Sequence, residues 1–309
     1  MENKKYWIWL NRINGLGIKK KQKLLQKYHN PQNIWNLSFE ELINIEGIEE
    51  NLAKEITNES YKKGLEEEIA KMEHEKIFVI SIYDDVYPKK LKKLYDPPIL
   101  LYAKGNIELL KKISIAIIGC REYSEYGKNM TMYFSYQLAK KGITVISGLA
   151  KGIDSFAHMS SLNTKGNTIA VVGNGLDIIY PKENINLQNK IIKQGGLILS
   201  EYPLGAKPDK YTFPARNRII SGLSDGVLVI EAKEKSGTLI TVDFALEQGK
   251  NVFSIPGNIT SKNTVGTNRL IKEGAKCVIG IEDILEEYKN IKFLWKYFNF
   301  SRIYNIIGA

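Results

Sequence analysis

From Ile113 onward the chain alternates between short apolar runs rich in β-branched residues and longer segments with helical patterning. The runs fall at 113–118, 143–147, 168–172, 196–200, 226–231, 251–255 and 276–279; the helical segments fall at 127–141, 153–163, 184–194, 215–222, 238–248 and 267–273. Strands that alternate with helices of this length give a mainly parallel sheet, because each helix carries the chain back to start the next strand in the same direction. The runs TIAVVG (168–173) and VLVIEA (227–232) are apolar and β-branched in character, which fits strands covered on both faces. The fold class is therefore α/β, a mainly parallel sheet with helices on both faces. Two further runs, 77–82 and 99–103, read as strands on either side of a Pro-containing segment, 87–98.

Open α/β sheets bind ligands beyond the C-terminal ends of their strands, and four glycine turns fall there. They are Gly119-Cys120-Arg121 with Ser124 and Gly127, Gly148 to Asp154 with Lys151 and Gly152, Gly173-Asn174-Gly175 leading to Lys182 and Asn184, and Ser236-Gly237-Thr238. The first begins like a nucleotide-binding turn, a buried strand ending in glycine before a helix. It then places Cys120 and Arg121 where a dinucleotide fingerprint would put further glycines. The second strand ends Val145-Ile146-Ser147-Gly148, without the acidic residue that would hold a ribose. A dinucleotide oxidoreductase is the weakest reading, and no cofactor is expected. A single glycine more often marks a tight turn than a ligand cradle. Four such turns on one sheet edge, together with Arg121, Lys151, Lys182, Arg216 and Arg218, point to a polyanion.

Net charge is +10, unevenly spread: residues 1–111 carry 19 basic against 17 acidic side chains, and residues 112–309 carry 25 against 17. The excess thus sits with the glycine turns and favours polyanionic partners, although a lysine-rich surface kept for solubility gives the same count. Cys120 and Cys277 cannot form a disulfide framework, and the N-terminus lacks the apolar region of a signal peptide, so the cytoplasm is the expected compartment. No run is long enough to span a bilayer, and three scattered histidines argue against a metal site.

Residues 1–70 read as helical. Ile13 to Ile18 and Ile45 to Ile48 each place an apolar–Gly–apolar turn before a polar helical run, a helix–hairpin–helix pattern whose backbone N–H groups can take a DNA phosphate. Lys19, Lys20, Lys21 and Lys23 follow the first turn and suit that role; Glu49 and Glu50 follow the second and do not. A purely structural turn is the equal alternative for the first.

The segments GCREYSEYG, ISGLAKGIDSFAH, TIAVVGNGLDIIYPKEN, LSEYP, FPARNRIISGLSDGVLVIEAKEKSGTLIT and ALEQGKNVFSIPGNI resemble the DprA (Smf) family of DNA-processing proteins, from about Tyr87 to Leu285. The resemblance implies an extended Rossmann-like sheet domain over 71–288, preceded by a small helical domain over 1–70. The tail, 289–309, is too short for the winged-helix module that many relatives carry. The resemblance also implies a homodimer without catalytic residues, which binds single-stranded DNA in natural transformation, protects it and loads the RecA recombinase. Carried over by position, the DNA-binding set is Gly119, Arg121, Ser124, Gly148, Lys151, Gly152, Gly173, Lys182, Asn184, Arg216, Arg218, Ser236, Gly237 and Thr238. Cys120 stands where the family usually has Ser, which removes a hydroxyl and keeps the cation.

Arg121 has no helical or strand duty that would explain it. Lys182 could be only a solvated charge. Arg216 and Arg218 lie two apart on a helix start and diverge, so at most one faces a ligand directly. Asp154 and Asp177 read as residues that hold the glycine loops, and His158 as a packed histidine bonded to Asp154 one turn back. The competing function is a nucleotide-processing enzyme of the phosphoribohydrolase-like group. Its Gly-Thr-x-x-Glu pattern here reads Gly237-Thr238-Leu239-Ile240-Thr241, with Thr in place of the catalytic carboxylate.

Overall fold

The computed structural model describes residues 4–164 and 168–288. Six helices come first: α1 (Lys4–Arg12), α2 (Ile18–Tyr28), α3 (Pro31–Trp35), α4 (Phe39–Ile43), α5 (Glu50–Ile56) and α6 (Leu65–His74). The sheet region follows as β1 (Ile77–Ser81), α7 (Lys89–Lys92), β2 (Leu100–Gly105), β3 (Ser114–Gly119), α8 (Glu125–Lys140), β4 (Thr144–Ser147), α9 (Ile153–Ser161) and β5 (Thr168–Val171). It continues with α10 (Ile185–Lys193), β6 (Leu197–Ser200), α11 (Thr212–Leu223), β7 (Gly226–Glu231), α12 (Gly237–Glu247), β8 (Asn251–Ser254), α13 (Val265–Lys272), β9 (Lys276–Cys277) and α14 (Glu282–Leu285). All nine strands lie where the apolar runs place them. The expected tail, 289–309, lies outside the described residues.

The strands form one sheet in the order β1-β2-β6-β5-β4-β3-β7-β8-β9. β3 to β9 pair in parallel, whereas β2 is antiparallel to both β1 and β6. The order runs one way from β3 through β4, β5 and β6, and the other way through β7, β8 and β9. The reversal between β3 and β7 is the switch point, where diverging crossovers leave a crevice beyond the strand ends.

Both faces of the central strands are covered, as their unbroken apolarity requires. Ile115 and Ile117 pack with Phe134 and Leu138 of α8 and with Ile153 and Ala157 of α9. Ala116 and Ile118 point the other way, toward Ile219 and Leu223 of α11 and Val242 and Ala245 of α12. Trp9, Leu24, Leu42, Leu52 and Met72 of the N-terminal helices share a continuous core with Tyr102, Ala170 and Ile198 of the sheet.

The first N-terminal turn keeps its geometry, with Gly15 at φ +71°, but spends three of its four lysines within the protein. Lys21 is buried and donates to the Asn11 carbonyl at 2.9 Å, and burial lowers its pKa to about 8. Lys19 lies 3.5 Å from the Tyr95 ring centroid, and Lys23 pairs with Glu46 at 2.8 Å.

Candidate nucleic-acid interface

A cavity of about 720 Å³ opens at the switch point. One wall is the turn after β3, with Gly119, Cys120 and Arg121; another is the start of α12, with Ser236, Gly237 and Thr238. The start of α11 supplies Phe213 and Arg216, and Lys210, Lys233 and Lys235 add charge around it. Arg121, Lys210 and Lys235 have no carboxylate partner among the described residues, so their charge is available to an anion. A second cavity, about 60 Å³, adjoins it and is lined by Gly148, Lys151, Gly173 and Asn174. Arg121, Tyr180, Phe213 and Arg216 line both and form the ridge between them.

That ridge is partly aromatic. Tyr180 stacks on Phe213 with centroids 5.3 Å apart and planes at 27°, and the Arg121 guanidinium lies 6.0 Å from the Phe213 centroid. The sequence reading singled out Arg121 but neither ring.

Arg216 is buried, and its Nη1 donates to the Gly148 carbonyl at 2.7 Å and to the Val171 carbonyl. It therefore ties the ends of β4 and β5 together while lining the cavity. Burial lowers its pKa to about 10, opposed by the nearby Asp154. The Asp154 carboxylate accepts from the Gly148 and Ala150 N–H groups at 3.2 and 3.3 Å, so it holds the loop as expected. The Gly148 N–H is consequently not free for a phosphate. Gly152 closes the same loop at φ +82°, where a Cβ would lie 2.5 Å from the Arg121 carbonyl oxygen. Only glycine lets the second turn approach the first this closely.

Four other residues of the expected set stand elsewhere. Arg218 diverges from Arg216 and lines neither cavity. It is locked in a bidentate pair with Glu201 at 3.0 and 2.6 Å and bonds Asp96 at 3.0 Å. Asn184 is a fastener: its Nδ2 donates to the Leu149 carbonyl at 2.8 Å and to Ser155 Oγ at 2.9 Å, holding Leu149 at φ +56°. Lys182 is exposed beyond Tyr180 and Pro181 and is outside the lining of both cavities. Ser124 caps α8, accepting the Gly127 N–H at 3.1 Å. Ser236 similarly caps α12 while remaining in the cavity wall, and Lys151 is paired with Glu183.

Glu231 explains why the turn after β3 is not a phosphate cradle. It ends β7 opposite Gly119 and is fully buried. Its carboxylate accepts the Ser124 N–H at 3.0 Å and the Ser124 hydroxyl. The positive end of α8, where a nucleotide phosphate would sit, therefore holds an internal anion. Cys120 is buried beside it, with Sγ donating to the Glu231 carbonyl at 3.4 Å; burial raises the thiol pKa. His158 bonds not Asp154 but Thr168 Oγ1, at 2.7 Å through Nδ1, because the Asp154 carboxylate is turned to its own loop. Asp177 accepts from the Gly205 N–H at 2.8 Å, a loop-holding role as expected.

Residues 78–289 match the family of DNA recombination-mediator protein A. The chain belongs to that family. It is 48% identical over 217 residues to DNA processing protein DprA of Streptococcus pneumoniae, covering 70% of this chain and 76% of that one. It is 45% identical over 220 residues to DprA of Bacillus subtilis, covering 70% and 74%. The crystal structure of the S. pneumoniae protein superposes with a TM-score of 0.79 at 41% identity, over 92% of this chain and 97% of that one. A structure of DNA processing protein A from Helicobacter pylori, described for its single-stranded DNA binding mode, gives 0.63 at 33% identity, over 73% and 99%. The family's fold is thus the α/β sheet described above. Among the described residues, no cluster of His, Cys, Asp or Glu could hold a metal, and no helix is long and apolar enough to cross a membrane.

Proposed function

We propose that the chain binds single-stranded DNA at the switch-point cavity, as a recombination mediator that protects an incoming strand in natural transformation and passes it to the RecA recombinase, working as a homodimer. The observation that carries the binding is the pairing of cations that lack carboxylate partners among the described residues with a partly exposed aromatic ridge at one sheet edge. Phosphates meet Arg121, Lys210 and Lys235, while an unstacked strand can present its bases to Tyr180 and Phe213. A duplex keeps its bases stacked inside and cannot do the latter. The single-stranded DNA binding mode of the H. pylori relative supports the same reading. Lys182, exposed and outside the lining of both cavities, adds a mobile charge nearby in the chain, two residues after Tyr180.

The role is binding without catalysis. A hydrolase of the phosphoribohydrolase-like group would need a carboxylate at position 241, and the residue in the cavity wall is Thr241. Of the carboxylates that line the cavity, Asp154 is committed to its loop, Glu122 pairs with Lys233 and Asp209 accepts the Tyr211 N–H. The test is binding of a short oligo-dT across a salt series, with nucleoside monophosphate hydrolysis measured in parallel. Arg121→Ala is expected to weaken binding about tenfold and to reduce the salt slope by about one unit, with no turnover in either protein. Unchanged affinity in the variant, tighter binding of duplex or measurable hydrolysis would overturn the reading.

A further inference from the structure

A second basic surface stands at the other end of the sheet. The switch-point cavity opens beyond Gly119, the last residue of β3. Ser114 begins β3, Asp225 immediately precedes β7 and Lys250 immediately precedes β8, so these three lie at the opposite ends of the same parallel strands. The Asp225 carboxylate accepts the Ser114 N–H at 2.9 Å and pairs with Lys90 of α7. Further cations crowd this one carboxylate. Half-buried Lys250 has its pKa lowered by burial and then by the charges of Lys90 and Lys93, against the pull of Asp225.

α7 is a fixed platform for these charges. Leu91 is fully buried, and a Cβ on Gly222 of α11 would lie 2.9 Å from both Leu91 and Leu94. Buried Tyr87, just ahead of the helix, donates its hydroxyl to the Pro98 carbonyl at 2.7 Å. Lys89, Lys92 and Lys93 are exposed and spaced i, i+3 and i+4, so they share the outward face, and Lys112 is exposed two residues before Ser114. Lys89, Lys92, Lys93, Lys112 and Lys250 have no carboxylate partner among the described residues, and none of them lines either switch-point cavity. Like charges at this spacing repel, so the fold gives up stability to hold the cluster.

We propose that this surface is a second nucleic-acid site, which holds the phosphate backbone of duplex DNA. Ammonium groups on an exposed helical turn meet phosphates alone, and such contact follows charge density rather than base identity. A duplex carries one charge per about 1.7 Å of its axis, twice the density of either strand by itself. An extended acidic peptide reaches at most one charge per ~3.4 Å, so a duplex is the better match. The length of β3, six residues or about 20 Å, separates this surface from the cavity, and duplex binding here is independent of strand binding there.

The experiment measures binding of a blunt duplex of about 20 base pairs and of a short oligo-dT to the full chain, by fluorescence anisotropy across a salt series. Wild type should bind the duplex more weakly than oligo-dT, since no base stacks on the protein. In the triple variant Lys89→Gln, Lys92→Gln, Lys93→Gln, duplex affinity is expected to fall about tenfold and its salt slope by about 3 units, with oligo-dT binding unchanged. Replacing exposed Lys140, Lys190 and Lys193 of α8 and α10 by Gln removes the same net charge and should leave the duplex slope in place. A circular-dichroism melt checks that both variants are folded. Arg121→Ala should weaken oligo-dT and spare the duplex. A triple α7 variant that binds duplex like wild type, or a loss matched by the α8 and α10 control, would overturn the surface. Loss of duplex binding in Arg121→Ala would place the duplex in the cavity and overturn it equally. A polyglutamate of matching charge that displaces the duplex at equal concentration would make this a protein-docking face and sink the duplex assignment. Failure of oligo-dT to bind, beside duplex binding that depends on α7, would refute the strand-binding reading and leave this surface standing.

Discussion

The internal carboxylate at the start of α8 makes a sharp energetic prediction at its neighbour Gly127. A Cβ on residue 127 would stand 2.9 Å from Glu231 Cγ and closer still to the carboxylate. A flexible exposed acid would swing aside, but Glu231 is fully buried and bonded to the backbone and hydroxyl of Ser124. Gly127→Ala should therefore cost about 1–3 kcal/mol through overpacking, offset by at most about 1 kcal/mol of helix propensity. Glu231→Ala alone should cost about 3 kcal/mol, since it leaves the Ser124 N–H without its charged acceptor and opens a cavity. In that background the obstruction is gone, and Gly127→Ala should become neutral or stabilising by up to about 1 kcal/mol. The coupling energy is thus about 1–3 kcal/mol, well above the scatter for independent sites. Urea unfolding of the four proteins, fitted with a common m-value, measures it directly. An equal cost of Gly127→Ala in both backgrounds would refute the placement of Glu231 in the phosphate position.

Two further outcomes follow from the site's surroundings. Arg218→Ala should cost about 3–5 kcal/mol by stranding Glu201, yet leave oligo-dT affinity of the folded protein unchanged; a selective loss of affinity, read beside a circular-dichroism melt, would restore Arg218 to the interface. His158 is buried with its pKa lowered from 6.5 to about 3, chiefly by desolvation, so between those values the unfolded chain binds a proton that the folded chain refuses. Its share of stability is complete above pH 6.5 and is lost as pH falls toward 3. His158→Gln should therefore flatten the acid limb of the stability profile, and an unchanged slope in acid urea titrations would refute this.

The elements were legible in the sequence because their signal is local. Runs such as Val227 to Ile230 are apolar on both faces, and several strands, β3, β4 and β5 among them, end at a glycine turn, so all nine strands could be placed. Strand direction was less legible: β1 and β2 look like any other short strands, and nothing local in them says that both pairings of β2 are antiparallel. The N-terminal helices could be read as helices, but not their shared core with Tyr102 and Ala170, which depends on contacts across the chain. The site divides along the same line. Arg121 could be singled out because a cation in a glycine turn has little structural work to do. Arg216 and Arg218 could be recognised as diverging, but not which one faced the cavity, since that depends on Glu201 and Asp96 waiting on one side and the strand-end carbonyls on the other. Ser124 looked like a ligand contact because its true partner is Glu231, 107 positions away. Tyr180 comes from the loop after β5 and Phe213 from the start of α11, and they become a ridge only when β5 and β6 are paired. A second long-range pairing, β3 with β7, closed the phosphate position by bringing Glu231 opposite Gly119, so what excludes a nucleotide and what could receive a base are both consequences of sheet order rather than of any motif.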